Sequence, residues 1–348
     1  MGHAEVENRT SLALAQLFLT NEDGRPLLVP ILKATYLIGT DGQLTLAEKQ
    51  IPINPAGQPY GKPGESSYKY EPEFAFMKPA TDIVLLGSAY PQRARDTEVN
   101  VSLYVGPVQK TVRVVGNRYW VKTMGMAFTS PPESFESIPL IYENAFGGWD
   151  RSNPDEQKHS FEPRNPVGTG FRGKHGKFEE GIRLPNLEDP QVPIQNYGDT
   201  PPPAGFGFTS PNWQPRAKLG GTYDDAWMKD RMPLLPKDFD RRFFNAASDG
   251  LVAPGYLEGN EAVAIENVSP DGTISFNLPG VPPPTCRVEL KGGQDVTLET
   301  KLDTVVINTD EKLLFLVWRA YTPLRTGPHD VVTIEVRTGD VPSTVAVG

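Results

Sequence analysis

In the run TEVNVSLYVG, Val99, Val101, Leu103 and Val105 alternate with Glu98, Asn100, Ser102 and Tyr104. Such alternation gives one buried and one wet face and predicts a half-buried strand. Gly106-Pro107 then turns the chain into VQKTVRVV, and Gly116-Asn117 turns it again into RYWV, which predicts an antiparallel meander. Upstream, LALAQLFL, LLVPILKATYLI and DIVLLGSAY read as further strands.

The pattern dissolves between about Ser130 and Pro236. Prolines and glycines are frequent there, and aromatics are spread among them: Tyr142, Phe146, Trp149, Phe161, Phe171, Phe178, Tyr197, Phe206, Phe208 and Trp213. Disordered linkers are poor in such residues. The segment therefore reads as ordered loops pinned onto the sheets by large rings. Strands return with EAVAIENV and TISFNL around the turn SPDG, so that Val263 and Ile265 face Ile274, Phe276 and Leu278. TCRVEL, QDVTLETKL, TVVI, KLLFLVWRAY and DVVTIEVR complete a C-terminal β unit. The expected fold is mainly β: two antiparallel, sandwich-like units at 1–129 and 248–348, joined by a loop-rich connection at 130–247. The two units are also compatible with one continuous domain.

One stretch breaks the β pattern. YDDAWMKDRMPLLPKDFDRRFFN, Tyr223 to Asn245, is dense in aspartate and aromatic residues. DDAWMKDRM predicts two helical turns stopped by Pro233 and Pro236. DFDRRFFNAA predicts a second short helix capped by Asp238 or Asp240.

The composition agrees with a folded, turn-rich protein. Gly and Pro number 33 and 35 in 348 residues, above the usual share but below that of a disordered chain. A formal charge of −9, with basic residues only in small pairs such as Arg93/Arg95 and Arg241/Arg242, disfavours nucleic acid as a partner. Cys286 is the only cysteine, so no internal disulfide or multi-thiolate metal site is possible within the sequence. The start MGHAEVENRT carries Glu5 and Glu7 and is unlike a secretion signal, and no run approaches the roughly 20 apolar residues of a membrane helix. A soluble cytoplasmic protein without membrane insertion is expected. The sequons at Asn8 and Asn267 carry little weight in that setting.

Few residues invite chemistry. Four histidines, at 3, 159, 175 and 329, have no zinc-site spacing, and neither a GxSxG elbow nor a Walker-type loop occurs. GFRGKHGKF could cradle an anion, but no helix pattern follows it, and a flexible loop is the simpler reading. Asp224, Asp225, Asp230, Asp238 and Asp240 could supply a carboxylate pair for glycoside hydrolysis. Asp225 and Asp230, however, fall on different helical faces, and the interleaved Lys229, Arg231, Arg241 and Arg242 favour capping and ion pairing. Cys286, in an alternating strand, reads as an inert small hydrophobe. No catalytic residue, cofactor or metal ligand is therefore expected. The rings of the stretch must pack against the β units or against something else, and Trp, Tyr and Arg are the residues that anchor interfaces. The interface candidates are Trp213, Arg216, Tyr223, Trp227, Arg231, Phe239 and Phe243.

The blocks PLIYENAFGGWD (139–150), NPVGTGF (165–171), LPNLEDP (184–190) and 203–247, with GNEAVAIENVSPDGTISFNLPG (259–280) and LDTVVINTDEKLLFLVWRAY (302–321), give the chain a wider likeness. From about Phe18 to Val336 it resembles the bacterial adaptor or chaperone proteins of type VI secretion, long catalogued only as a domain of unknown function. The resemblance implies a non-enzymatic role: binding a toxic effector in the donor cytoplasm and helping to load it onto the VgrG/PAAR spike. It carries no residue-level site onto this chain. Two other readings remain open at this point: a carbohydrate-active or carbohydrate-binding β-sandwich, and a structural component of a contractile secretion apparatus.

Overall fold

The run PLLVPILKATYLI carries only one charge, and it forms a 13-residue strand, Pro26–Ile38, buried along almost its whole length. A strand covered on both faces needs apolar residues at consecutive positions, which is what this run supplies. It is an inner strand of a seven-stranded sheet that runs Ala13–Thr20, Pro26–Ile38, Leu313–Arg319, Lys301–Asn308, Asp82–Leu86, with Thr322–Pro323 and Leu44–Leu46 added beside it. The computed structural model describes residues 4–176 and 178–338, so His3 lies outside the described residues.

A five-stranded sheet contains the predicted Glu98–Val105 and Val108–Val115 hairpin, with Val105 opposite Val108 across Gly106-Pro107. Its other members are Leu187–Glu188, Ala262–Glu266 and Ile274–Asn277. A four-stranded sheet orders Glu5–Asn8, Val331–Arg337, Thr285–Leu290 and Gln294–Glu299. One core joins all three: Leu32 and Ile83, Val101 and Ile265, and Cys286 and Ile334 belong to the same apolar cluster.

The fold is mainly β, and each large sheet mixes strands from both ends of the chain. Within these three sheets two pairings are parallel, Glu5–Asn8 with Val331–Arg337 and Asp82–Leu86 with Lys301–Asn308. Neither can be closed by a hairpin, so no local turn signal announces them. The expected meander also stops early. After Gly116-Asn117 the strand Trp120–Thr123 pairs with Met126–Thr129 in a separate two-stranded ribbon, while Val108–Val115 takes Leu187–Glu188 as its outer neighbour.

The middle segment is held down by its rings. Phe206, Phe208 and Tyr142 enter the main core, while Phe171, Phe178 and Tyr197 pack against Trp120 and Phe146 in a smaller cluster. Together with the residues just after it, the segment also covers one edge of the seven-stranded sheet: Ile83 N–H donates to Leu251 O (2.9 Å) and Leu85 N–H to Phe206 O (3.2 Å).

Candidate protein-binding surface

Two glycines follow the short helix Arg216–Leu219, and from there the chain makes an excursion that closes on itself. Asp240 N–H donates to Leu219 O (2.9 Å). The Asp238 carboxylate accepts from Thr222 N–H (3.0 Å) and from the Thr222 hydroxyl (2.8 Å). Gly221 has φ +83°, and a Cβ there would lie 2.8 Å from Pro236 Cβ, so the crossing requires glycine. Inside the excursion Asp224 caps the helix Asp225–Asp230 by accepting from Trp227 N–H (2.8 Å). Trp227 Nε1 donates to Leu234 O (2.8 Å), and Tyr223 stands edge-on to the Trp227 ring at 4.7 Å. A surface segment closed at its base and packed by its own side chains is an Ω-type loop.

The loop is tied to the body through the turn after Ala13–Thr20. Arg231 donates from Nε to Leu235 O (2.8 Å) and from Nη2 to Glu22 O, while Arg241 pairs with the Glu22 carboxylate. Asp240 caps the 3-10 turn Arg241–Phe244, accepting from Arg242 N–H at 2.9 Å. That turn delivers Phe244 edge-on to Phe76 at 4.8 Å, onto a cluster that contains Leu17, Leu27, Val29, Ile31 and Val317.

The seven interface candidates separate by depth. Trp213 is 3% exposed and meets Tyr142 edge-on in the core. Arg216 is buried, donating to Phe243 O (2.8 Å) and Thr209 O (2.5 Å), pairing with Glu71 and lying over the Phe243 ring at 5.3 Å. Trp227, Arg231, Phe239 and Phe243 are half-buried and hold the loop together. Tyr223 points outward, 56% exposed. Met228 and Met232, not singled out from the sequence, lie in the same loop and are 61% and 62% exposed. No periodic pattern in the sequence set them apart. The loop thus combines a braced interior with exposed apolar side chains set among charged ones such as Asp225, Lys229 and Asp230.

Asp224, Asp238 and Asp240 are placed as caps and braces. Thr222 backbone and hydroxyl donors hold the Asp238 carboxyl below its ordinary range, and the Arg242 side chain does the same for Asp240. Elsewhere the buried carboxylates meet cations: Lys78 with Asp82 (2.6 Å), Lys33 with Glu73 (2.9 Å), Arg319 with Asp303 and Arg216 with Glu71. Burial nevertheless pushes the Glu71 and Asp303 carboxyls up, against the pull of Arg216 and Arg319 respectively.

Arg172 and Gly173 of the glycine-rich stretch meet an anion of the protein itself. Gly173 N–H donates to the Asp150 carboxylate (2.9 Å), and Arg172 lies 3.5 Å from it. Burial opposes ionisation of Asp150, but the donors of Ser152 and Gly173 outweigh it and hold its carboxyl low. Cys286 is fully buried, and burial pushes its thiol up to about 12. Among the described residues no group of three or more His, Cys, Asp or Glu could hold a metal ion, and no helix is long and apolar enough to cross a membrane.

Residues 23–319 match the family described as "Uncharacterized protein conserved in bacteria (DUF2169)". The chain belongs to this family. The DUF2169 match takes in the Ω loop, its Glu22 tether bordering the matched span, and all four buried ion pairs named above. No curated protein and no solved structure matches the chain.

Proposed function

We propose that this DUF2169 protein is a type VI secretion adaptor or chaperone that binds a toxic effector in the donor cytoplasm and helps load it onto the VgrG/PAAR spike. The observation that carries the protein-binding part is the outward face of the Ω loop, where Tyr223, Met228 and Met232 are each more than half exposed. Exposed apolar side chains on a braced scaffold suit a binding surface, because bracing lowers the entropy lost on binding. Methionine suits a surface that must accept and release a cargo, since its flexible thioether repacks readily. Interface anchors also cluster around Tyr and Trp, here Tyr223 on Trp227. The assignment to type VI secretion rests on the sequence blocks at 139–150, 203–247 and 302–321, which resemble that adaptor family.

The reading is tested by co-expressing the chain with the effector encoded beside it and capturing the complex on a tag. Capture should succeed with the wild type and fall sharply with Tyr223→Ala combined with Met228→Ala. Equal capture by the double variant would remove the loop from the interface, and no capture by either would remove the adaptor reading.

A further inference from the structure

The largest sheet has one covered edge and one bare edge. At the covered edge, Asp82–Leu86 is bonded to Phe206 of the middle segment and to Leu251 just after it. At the other, Ala13–Thr20 has only Pro26–Ile38 as a strand neighbour among the described residues. The hydrogen-bond register shows which groups are left over. Asn21 N–H donates to Arg25 O (3.0 Å), so 21 and 25 are a bonded pair at the mouth of the hairpin. Bonded and non-bonded pairs alternate in an antiparallel ladder. Thr20, Phe18, Gln16 and Leu14 therefore lie in non-bonded pairs, opposite Pro26, Leu28, Pro30 and Leu32. The prolines agree with this phase, because Pro26 O and Pro30 O accept from Leu324 and Ala320 on the opposite side of their strand. The N–H and C=O groups of those four edge residues point outward, and no described residue hydrogen-bonds to them. The Gln16 Oε1 atom is likewise buried without a donor among the described residues.

Protein sheets normally blunt such edges with charge, proline, a bulge or a covering loop. Other edges here follow that rule: Glu5–Asn8 carries Glu5 and Glu7, and Gln294–Glu299 carries Asp295 and Glu299. ALAQLFLT has no charge and no proline, and its register runs without a shift over eight residues. Both faces of the edge carry apolar side chains. Leu14 and Phe18 pack towards the main core, and Leu17 and Leu19 towards the cluster that seats Phe244 of the candidate loop turn.

We propose that Ala13–Thr20 is a strand-addition site that takes an extended, uncharged, proline-free and largely apolar segment of the protein partner. Main-chain hydrogen bonds to Leu14, Gln16, Phe18 and Thr20 supply affinity, and the two apolar layers select apolar side chains on both faces of the incoming strand. A second copy of this chain is a poorer occupant. Two copies at −9 each repel, and pairing over an edge about 26 Å long falls short of the roughly 1,200 Å² that a stable interface buries. A segment from a different protein can continue from the edge past Glu22 onto the Ω loop, which Arg231 holds against that turn. The proposal deepens the adaptor reading and rests on it for the identity of the partner.

The test uses the full chain and a synthetic peptide of eight uncharged Val, Leu and Thr residues with terminal lysines, beside a control of equal charge with prolines at alternate positions. Bound peptide should slow amide exchange at Leu14, Gln16, Phe18 and Thr20, whereas Ala15, Leu17 and Leu19 are slow without it. Gln16→Pro removes only an outward donor and keeps the native ladder, and it should weaken binding about tenfold. Thr20→Lys, at the exposed end of the strand, should do the same and serves where Gln16→Pro does not fold. Equal binding by the folded variants, or peptide binding without slowed exchange at the four amides, overturns the proposal. So does protection that rises with protein concentration in the absence of peptide, which would assign the edge to a second copy. Effector capture that survives both substitutions would leave the adaptor reading standing and the edge without its role. Peptide pairing without any effector capture would do the reverse.

Discussion

Arg216 and Glu71 form an ion pair in which each side chain is only 9% exposed. The same guanidinium donates to Phe243 O and Thr209 O, so one buried cation joins the body to both ends of the segment that carries the Ω loop. Arg216 is thus the internal support of a surface whose outer face is formed by other residues.

Arg216→Leu leaves Glu71 buried without its partner and should cost about 3–5 kcal/mol in urea unfolding at neutral pH. Burial already holds the Glu71 carboxyl above its ordinary range, and losing Arg216 raises it further. A carboxyl raised in the folded state is penalised above its folded value, so the deficit of the variant should shrink as pH falls towards about 4.3. A deficit that is constant over this range would show that Glu71 does not carry it.

Lys110 predicts the opposite slope on the alkaline side. Its ammonium donates to Ser248 Oγ (2.7 Å) and Asp249 O (2.6 Å), and burial pushes it down to about 8 against the pull of Asp249 and Asp189. An unfolded lysine titrates near about 10.4, so between these values the unfolded chain holds more protons and stability rises with pH. Lys110→Met should abolish that rise in urea midpoints measured from pH 7.5 to 10.

Exposed and seated rings should separate cleanly. Tyr223→Ala and Met228→Ala should change stability by less than about 0.5 kcal/mol, as is usual for surface positions. Phe244→Ala, which empties the contact with Phe76, should cost about 3 kcal/mol. Thermal unfolding of the three variants beside wild type checks both halves.

Cys286 should be inert to a thiol-specific reagent such as dithionitrobenzoate in the native protein and react fully in urea. Burial both excludes the reagent and disfavours the thiolate. Rapid native labelling would place Cys286 outside the core.

Features with local causes were legible in the sequence. Alternation at 98–105 and the Gly106-Pro107 turn specified a hairpin with its register, and Asp240 was recognisable as a cap because capping is a contact over two or three residues. Asp238, equally eligible, instead accepts from Thr222 across the neck of the loop, a contact that depends on where the chain returns. The same limit hid the parallel pairing of Asp82–Leu86 with Lys301–Asn308 and the Arg216–Glu71 pair. Aromatic content drew attention to the Tyr223–Asn245 stretch but could not tell Trp213 in the core from Tyr223 in solvent, because burial is set by the partner surface. Met228 and Met232 carried no pattern at all.

The adaptor account is tested most directly by effector export from a donor strain lacking this protein. The account predicts that the neighbouring effector is lost from the secreted spike while the machine still fires. Export should return with the wild-type gene and not with one encoding Tyr223→Ala and Met228→Ala. An effector that is stable, loaded and exported at wild-type levels in the deletion strain would contradict the account.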